Sequence, residues 1–173
     1  MILIRSLLIS MLLLNAICTD ASHAAPVNFY DGVARINARS PDGSPIKVIV
    51  STTKYSPSFP YRAGYEWGAD TTPSNPSPAY PKSVITSVDV TVGKVKILIP
   101  LSAYSDLANP NTLTFETTSN GFRLIVVGGD AGGAYKAELY FEGKYIKRRK
   151  VASAEFPTEA WEETVYTFNT GPK

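Results

Sequence analysis

The densest run of residues that could do chemistry is Gly128-Gly129-Asp130-Ala131-Gly132-Gly133-Ala134-Tyr135, four glycines within six positions closed by a tyrosine. Glycine lets the backbone adopt positive φ and turn several N–H groups toward one ligand or partner. A phosphate cradle is excluded. A P-loop needs Gly-Lys-Ser/Thr opening a helix, and a dinucleotide fingerprint also opens a helix, whereas residues 135–139 alternate as a strand. The competing reading is a wide hairpin connection whose glycines stand where neighbouring backbone crowds in.

A second cluster is Lys147-Arg148-Arg149-Lys150, four consecutive cations. On a strand they divide between faces, Arg148 and Lys150 with Ile146, Lys147 and Arg149 with Tyr145 and Val151. Such a strand either keeps one solvated, pairing-resistant face or offers cations to an anionic surface such as a carboxylate-lined cleft. A third set is aromatic: Tyr55, Phe59, Tyr61, Tyr65 and Trp67 lie within a proline-rich segment, 54–82. Tyr61, Tyr65 and Trp67 could stack on sugar rings; the alternation of Tyr65 and Trp67 equally suits one buried strand face. Trp161 follows Phe156-Pro157-Thr158-Glu159-Ala160, which reads as a helical turn whose indole covers an open end of the fold.

Catalytic groups are scarce. Asp31, Glu66, Asp70, Asp106, Asp130 and Glu138 have no spacing that predicts a facing carboxylate pair. The single histidine, His23, and the single cysteine, Cys18, both fall in an N-terminal stretch with the parts of a secretory leader. The mature chain therefore lacks thiol nucleophiles, disulfides, soft zinc ligands and Ser-His or Cys-His pairs. No enzyme, cofactor or metal is expected.

The run Gly132-Gly133-Ala134-Tyr135, between strands of a small β-domain, resembles the Ser-Gly-x-Tyr loop of bacterial periplasmic lysozyme inhibitors, especially those against invertebrate-type lysozyme. In that family the loop enters the lysozyme cleft, and its serine and tyrosine engage the catalytic region. Gly133 matches the family glycine and Tyr135 the tyrosine. Gly132 stands where the serine would be and brings no hydroxyl. The resemblance implies a protein partner contacted through Gly132, Gly133 and Tyr135; Asp130 in the same loop and the cations Arg148 and Arg149 are the further candidate partner contacts.

The elements that must position these groups belong to a chain of 173 residues with 17 Lys+Arg against 15 Asp+Glu, a net charge of +2. That near balance argues for neither nucleic acid nor a membrane surface. Residues 1–24 read as a signal peptide, with Arg5, an apolar run over 6–14 and small residues at Ser22 and Ala24; cleavage is expected after Ala24. Asn15-Ala16-Ile17 before Cys18 matches a lipoprotein signal poorly. A periplasmic or secreted protein with no membrane span after leader removal is expected, its partner a protein of the envelope or exterior, with a lysozyme as the candidate.

Over 25–173 the apolar residues recur with period two between turn residues, predicting strands at 27–38, 46–52, 84–92, 95–99, 113–117, 122–127, 134–141, 145–154 and 164–168. The turns are Ser40-Pro41-Asp42-Gly43-Ser44, Val92-Gly93-Lys94, Ser119-Asn120-Gly121 and Glu142-Gly143-Lys144. Residues 101–108 have helical spacing between Pro100 and Asn109-Pro110, predicting one short crossover helix. The expected fold is all-β: one domain, an antiparallel sandwich or flattened barrel of eight or nine strands. The function expected is non-catalytic binding: an inhibitor docking its glycine loop, a carbohydrate-binding sandwich, or a structural envelope domain.

Overall fold

Short alternating runs and strong turn residues produce ten strands among the described residues. The computed structural model describes residues 23–56, 67–68 and 81–168. The strands are β1 (His23–Asn28), β2 (Val33–Arg39), β3 (Pro45–Lys54), β4 (Ser83–Val92), β5 (Val95–Lys96), β6 (Pro110–Thr118), β7 (Gly121–Gly128), β8 (Tyr135–Glu142), β9 (Tyr145–Ser153) and β10 (Ala160–Val165). They form a six-stranded sheet, β1-β6-β7-β8-β9-β10, and a four-stranded sheet, β2-β3-β4-β5. Every ladder is antiparallel. The fold is the expected antiparallel sandwich.

The core lies between the sheets. From β2, β3 and β4 come Ala34, Ile36, Ile46, Val48, Val50, Val88 and Val90; opposite them lie Leu113, Phe115, Phe122, Leu124, Leu139 and Phe141. Phe122 stacks between Phe115 and Phe141, with ring centroids 5.4 and 4.7 Å away. A buried aromatic of this kind contributes about 3–5 kcal/mol, judged by truncation to alanine.

Several elements depart from the sequence expectation, among them the strand expected at 95–99, which is only Val95–Lys96. The run 27–38 is two strands in different sheets, because Asp31 and Gly32 both take positive φ, 47° and 75°, and turn the chain between paired Tyr30 and Val33. An Asp-Gly pair with φ positive at both positions is the tight turn that matches strand twist. The crossover helix over 101–108 is a single 3₁₀ turn, Leu101–Ala103. Two turns are too short to hold a helix on their own, and here the backbone is claimed elsewhere: Leu107 bridges Trp67 and Ala108 bridges Val84. The last strand lies at 160–165 rather than 164–168, so Trp161 sits within β10 and not after a helical turn.

Two bulges decide which side chains point inward. On β9, Tyr140 pairs with Arg148 and Phe141 with Ile146, leaving Lys147 as the extra residue. That insertion puts Ile146, Arg149 and Val151 all into the buried interior, against the expected opposition of Ile146 to Arg149 and Val151. On β10, Ala160 pairs with Ala152 and Glu162 with Val151, leaving Trp161 extra. Bulges at sheet edges re-aim side chains in this way. Among the described residues no helix is long and apolar enough to cross a membrane.

Candidate functional site

The charged and aromatic residues converge at the end of the sandwich where the glycine loop, the 101–109 crossover and the Trp67 turn meet. Asn109 joins these segments. Its backbone is left-handed, φ 45°, and its side-chain oxygen accepts from the N–H groups of Lys82 and Ser83 at 2.7 and 3.1 Å. Its amide donates to Gly68 O at 2.9 Å, while its own carbonyl accepts from Gly129 N at 3.0 Å. Asparagine tolerates that backbone conformation and carries both donor and acceptor, which explains the residue type.

Around this junction the glycines make room for Tyr135. A Cβ on Gly128 would lie 2.5 Å from the Tyr135 hydroxyl, and one on Gly68 would lie 2.6 Å from its ring. Gly129, at φ 79°, would place a Cβ 2.4 Å from the Gly133 carbonyl. These three positions admit glycine because ring or backbone occupies the space. Gly132 by contrast has open space beside it. Of the two readings of this loop, crowding accounts for Gly128 and Gly129.

Tyr135 is 0% exposed, so it does not reach outward as the inhibitor resemblance implies. It begins β8 in phase with Ala137, Leu139 and Phe141, all buried, and the strand turns all four inward. Burial, then the nearby Asp106 charge, pushes its phenol well above the usual range, with Arg149 opposing. Its hydroxyl has no hydrogen-bond partner among the described residues. Asp130 and Gly132 remain exposed and Gly133 half-buried.

Arg149 is likewise interior, 2% exposed, and both of its Nη atoms are engaged by the protein, while its buried Nε has no hydrogen-bond partner among the described residues. Nη2 reaches Asp106 Oδ1 and Oδ2 at 2.8 and 2.7 Å; Nη1 reaches Glu162 Oε1 at 2.9 Å and Ser102 O at 3.1 Å. The bulge at Lys147 that turned it inward also removed it from any partner-facing surface. Burial raises the Asp106 carboxyl above its ordinary value, although Arg149 pulls it back down. Arg148 stays on the outer face, its guanidinium 4.1 Å from the Tyr140 ring centre and 3.4 Å from Glu163. The six predicted partner-contact residues therefore do not form one surface: Tyr135 and Arg149 are core, Arg148 lies on the sheet's outer face, and Asp130, Gly132 and Gly133 are in the loop.

The aromatic residues do converge. Trp67 and Trp161 stack with ring centroids 5.3 Å apart and planes 23° from parallel. Trp67 is fixed by its backbone, which donates to Asp106 O and accepts from Ala108 N, both at 2.8 Å. Its indole N–H donates to Glu162 Oε2 at 3.3 Å. Glu162 also accepts from Thr164 Oγ1 at 3.0 Å through the oxygen that Arg149 holds. A continuous chain of contacts thus runs Asp106, Arg149, Glu162, Trp67, Trp161. Trp67 is half-buried, and Trp161 is 45% exposed. Tyr61 and Tyr65, the other predicted stacking residues, lie outside the described residues.

Sequence reasoning did not assign Asp106, Glu162, Asn109 or Trp161 to the site. Asp106 lies 43 residues from Arg149, and Trp67 lies 95 from Glu162; no local spacing links such pairs. Chemically, the carboxylates are committed to Arg149 and the indole N–H. What the arrangement offers outward is a rigid aromatic surface. Compared with known families, curated proteins and solved structures, the chain matches none.

Proposed function

We propose that this chain is a non-catalytic binding domain acting in the periplasm or outside the cell, and that it recognises saccharide through Trp161, backed by Trp67. The observation that carries the reading is the stacked indole pair formed by Trp161, on a bulge of an edge strand and 45% exposed, and Trp67, whose indole N–H is held by Glu162. Sugar rings present C–H faces that pack on flat aromatic surfaces, and an indole held in place loses little entropy on binding. The leader-like N-terminus supports the location.

Docking into a lysozyme through the glycine loop gains no support from the burial of Tyr135. That mode would have to use the Asp130 side chain and the backbone of Gly132 and Gly133. A panel of chito-, cello- and xylo-oligosaccharides and soluble peptidoglycan fragments, titrated while tryptophan fluorescence is recorded, tests the proposal. A saturable change with at least one of them is expected; a flat response to all contradicts it.

A further inference from the structure

The opposite end of the sandwich holds a cleft of about 230 Å³ that the saccharide reading does not use. It opens between the sheets where the β2–β3, β6–β7 and β8–β9 turns come together, and its apolar lining is Pro41, Val92 and the edge of Phe122, a ring only 2% exposed. The other end of the sandwich is closed by the buried side chains of Tyr104, Leu107 and Tyr135. The volume equals roughly eight waters at about 30 Å³ each, fragment size rather than drug size.

The rim is polar and its charge has one sign. Of the residues lining the cleft, Asp42 is the one titratable group, accompanied by Ser40, Ser119 and Asn120. The Ser40 hydroxyl and the Ser44 N–H, at 3.0 Å, both hydrogen-bond Asp42 Oδ1. Those bonds hold the carboxyl below its ordinary value and therefore ionised. Arg39, the nearest cation of the same turn, donates to Gly43 O at 2.8 Å and does not line the cleft.

An apolar lining binds water poorly, and an anionic rim disfavours anions. We propose that this cleft binds a small protonated amine carried on an apolar ring, with the ring over Val92, Pro41 and the edge of Phe122 and the ammonium at Asp42. The ion pair is exposed, so its share is modest, about three- to fivefold in affinity.

The test is an amide-resolved NMR titration of the folded chain with 2-phenylethylammonium, its neutral analogue 2-phenylethanol and the anionic 3-phenylpropionate. Saturable shifts confined to residues 40–44, 92, 119–122 and 143 are expected, with the ammonium binding about three- to fivefold tighter than the alcohol. Asp42→Asn, which keeps the oxygen that accepts from Ser40 and Ser44, should bring the ammonium down to the alcohol's affinity. Shifts elsewhere, no saturation, equal binding of all three probes, or an unchanged Asp42→Asn variant would each overturn the proposal. Failure here leaves the Trp161 reading standing, because that site lies at the other end of the sandwich.

Discussion

Arg149 and Asp106, 43 residues apart in sequence, meet through two hydrogen bonds of 2.8 and 2.7 Å on a guanidinium nitrogen of a residue only 2% exposed. The same arginine holds Glu162, and Glu162 holds the Trp67 indole. One interior cation thus ties β9 to the crossover, to the edge strand and to the aromatic pair. Removing it strands two carboxylates away from full solvent.

Arg149→Ala should therefore destabilise the fold by about 3–5 kcal/mol, the range for breaking a buried pair. Urea unfolding of the variant beside the parent measures this. A loss under about 1 kcal/mol would place the network in solvent rather than in the core.

The glycines should separate by position. Gly128→Ala drives a methyl into the Tyr135 ring and hydroxyl and should cost about 1–3 kcal/mol, as overpacking does. Gly132→Ala, with open space beside it, should change stability by no more than about 0.5 kcal/mol. Equal unfolding midpoints for the two variants would contradict the crowding account.

On the outer face of the six-stranded sheet, Glu138 supplies a pH dependence. Burial raises its carboxyl, but hydrogen bonds from Lys136 and Tyr140 and the charges of Lys136 and Arg123 outweigh that and hold it below its ordinary 4.5. A carboxyl depressed on folding binds protons more readily when unfolded, so its stabilisation is full above about pH 4.5 and is lost as pH falls through the folded value. Glu138→Gln should be less stable than the parent at pH 7 and should lose less on acidification. Parallel stability curves for the two proteins between pH 7 and 3 would refute this.

Much of the architecture was legible because turn chemistry and period two agree: the 40–44, 93–94, 119–121 and 143–144 turns connect β2–β3, β4–β5, β6–β7 and β8–β9 as read. Asp31-Gly32 was legible in principle, but the even alternation across 27–38 masked it. The phase of Tyr135 with Ala137, Leu139 and Phe141 also stood in the sequence and marked an inward tyrosine. The bulges at Lys147 and Trp161 were not legible, since one inserted residue leaves no compositional trace yet reverses every face beyond it. That is why Arg149 was assigned to a partner surface and belongs to the core. The pairing of Trp67 with Trp161 depends on sheet order and the Asn109 junction, neither of which any short window contains.

The central claim, recognition through Trp161, is tested most directly by comparing the parent and Trp161→Ala in a calorimetric titration with the tightest-binding saccharide of the panel. Trp161 is 45% exposed on edge strand β10 and outside the core between the sheets, so the variant should unfold cooperatively near the parent while binding about tenfold or more weakly, as loss of a central aromatic contact does. Equal affinity of the two folded proteins, or no binding by the parent, would contradict it.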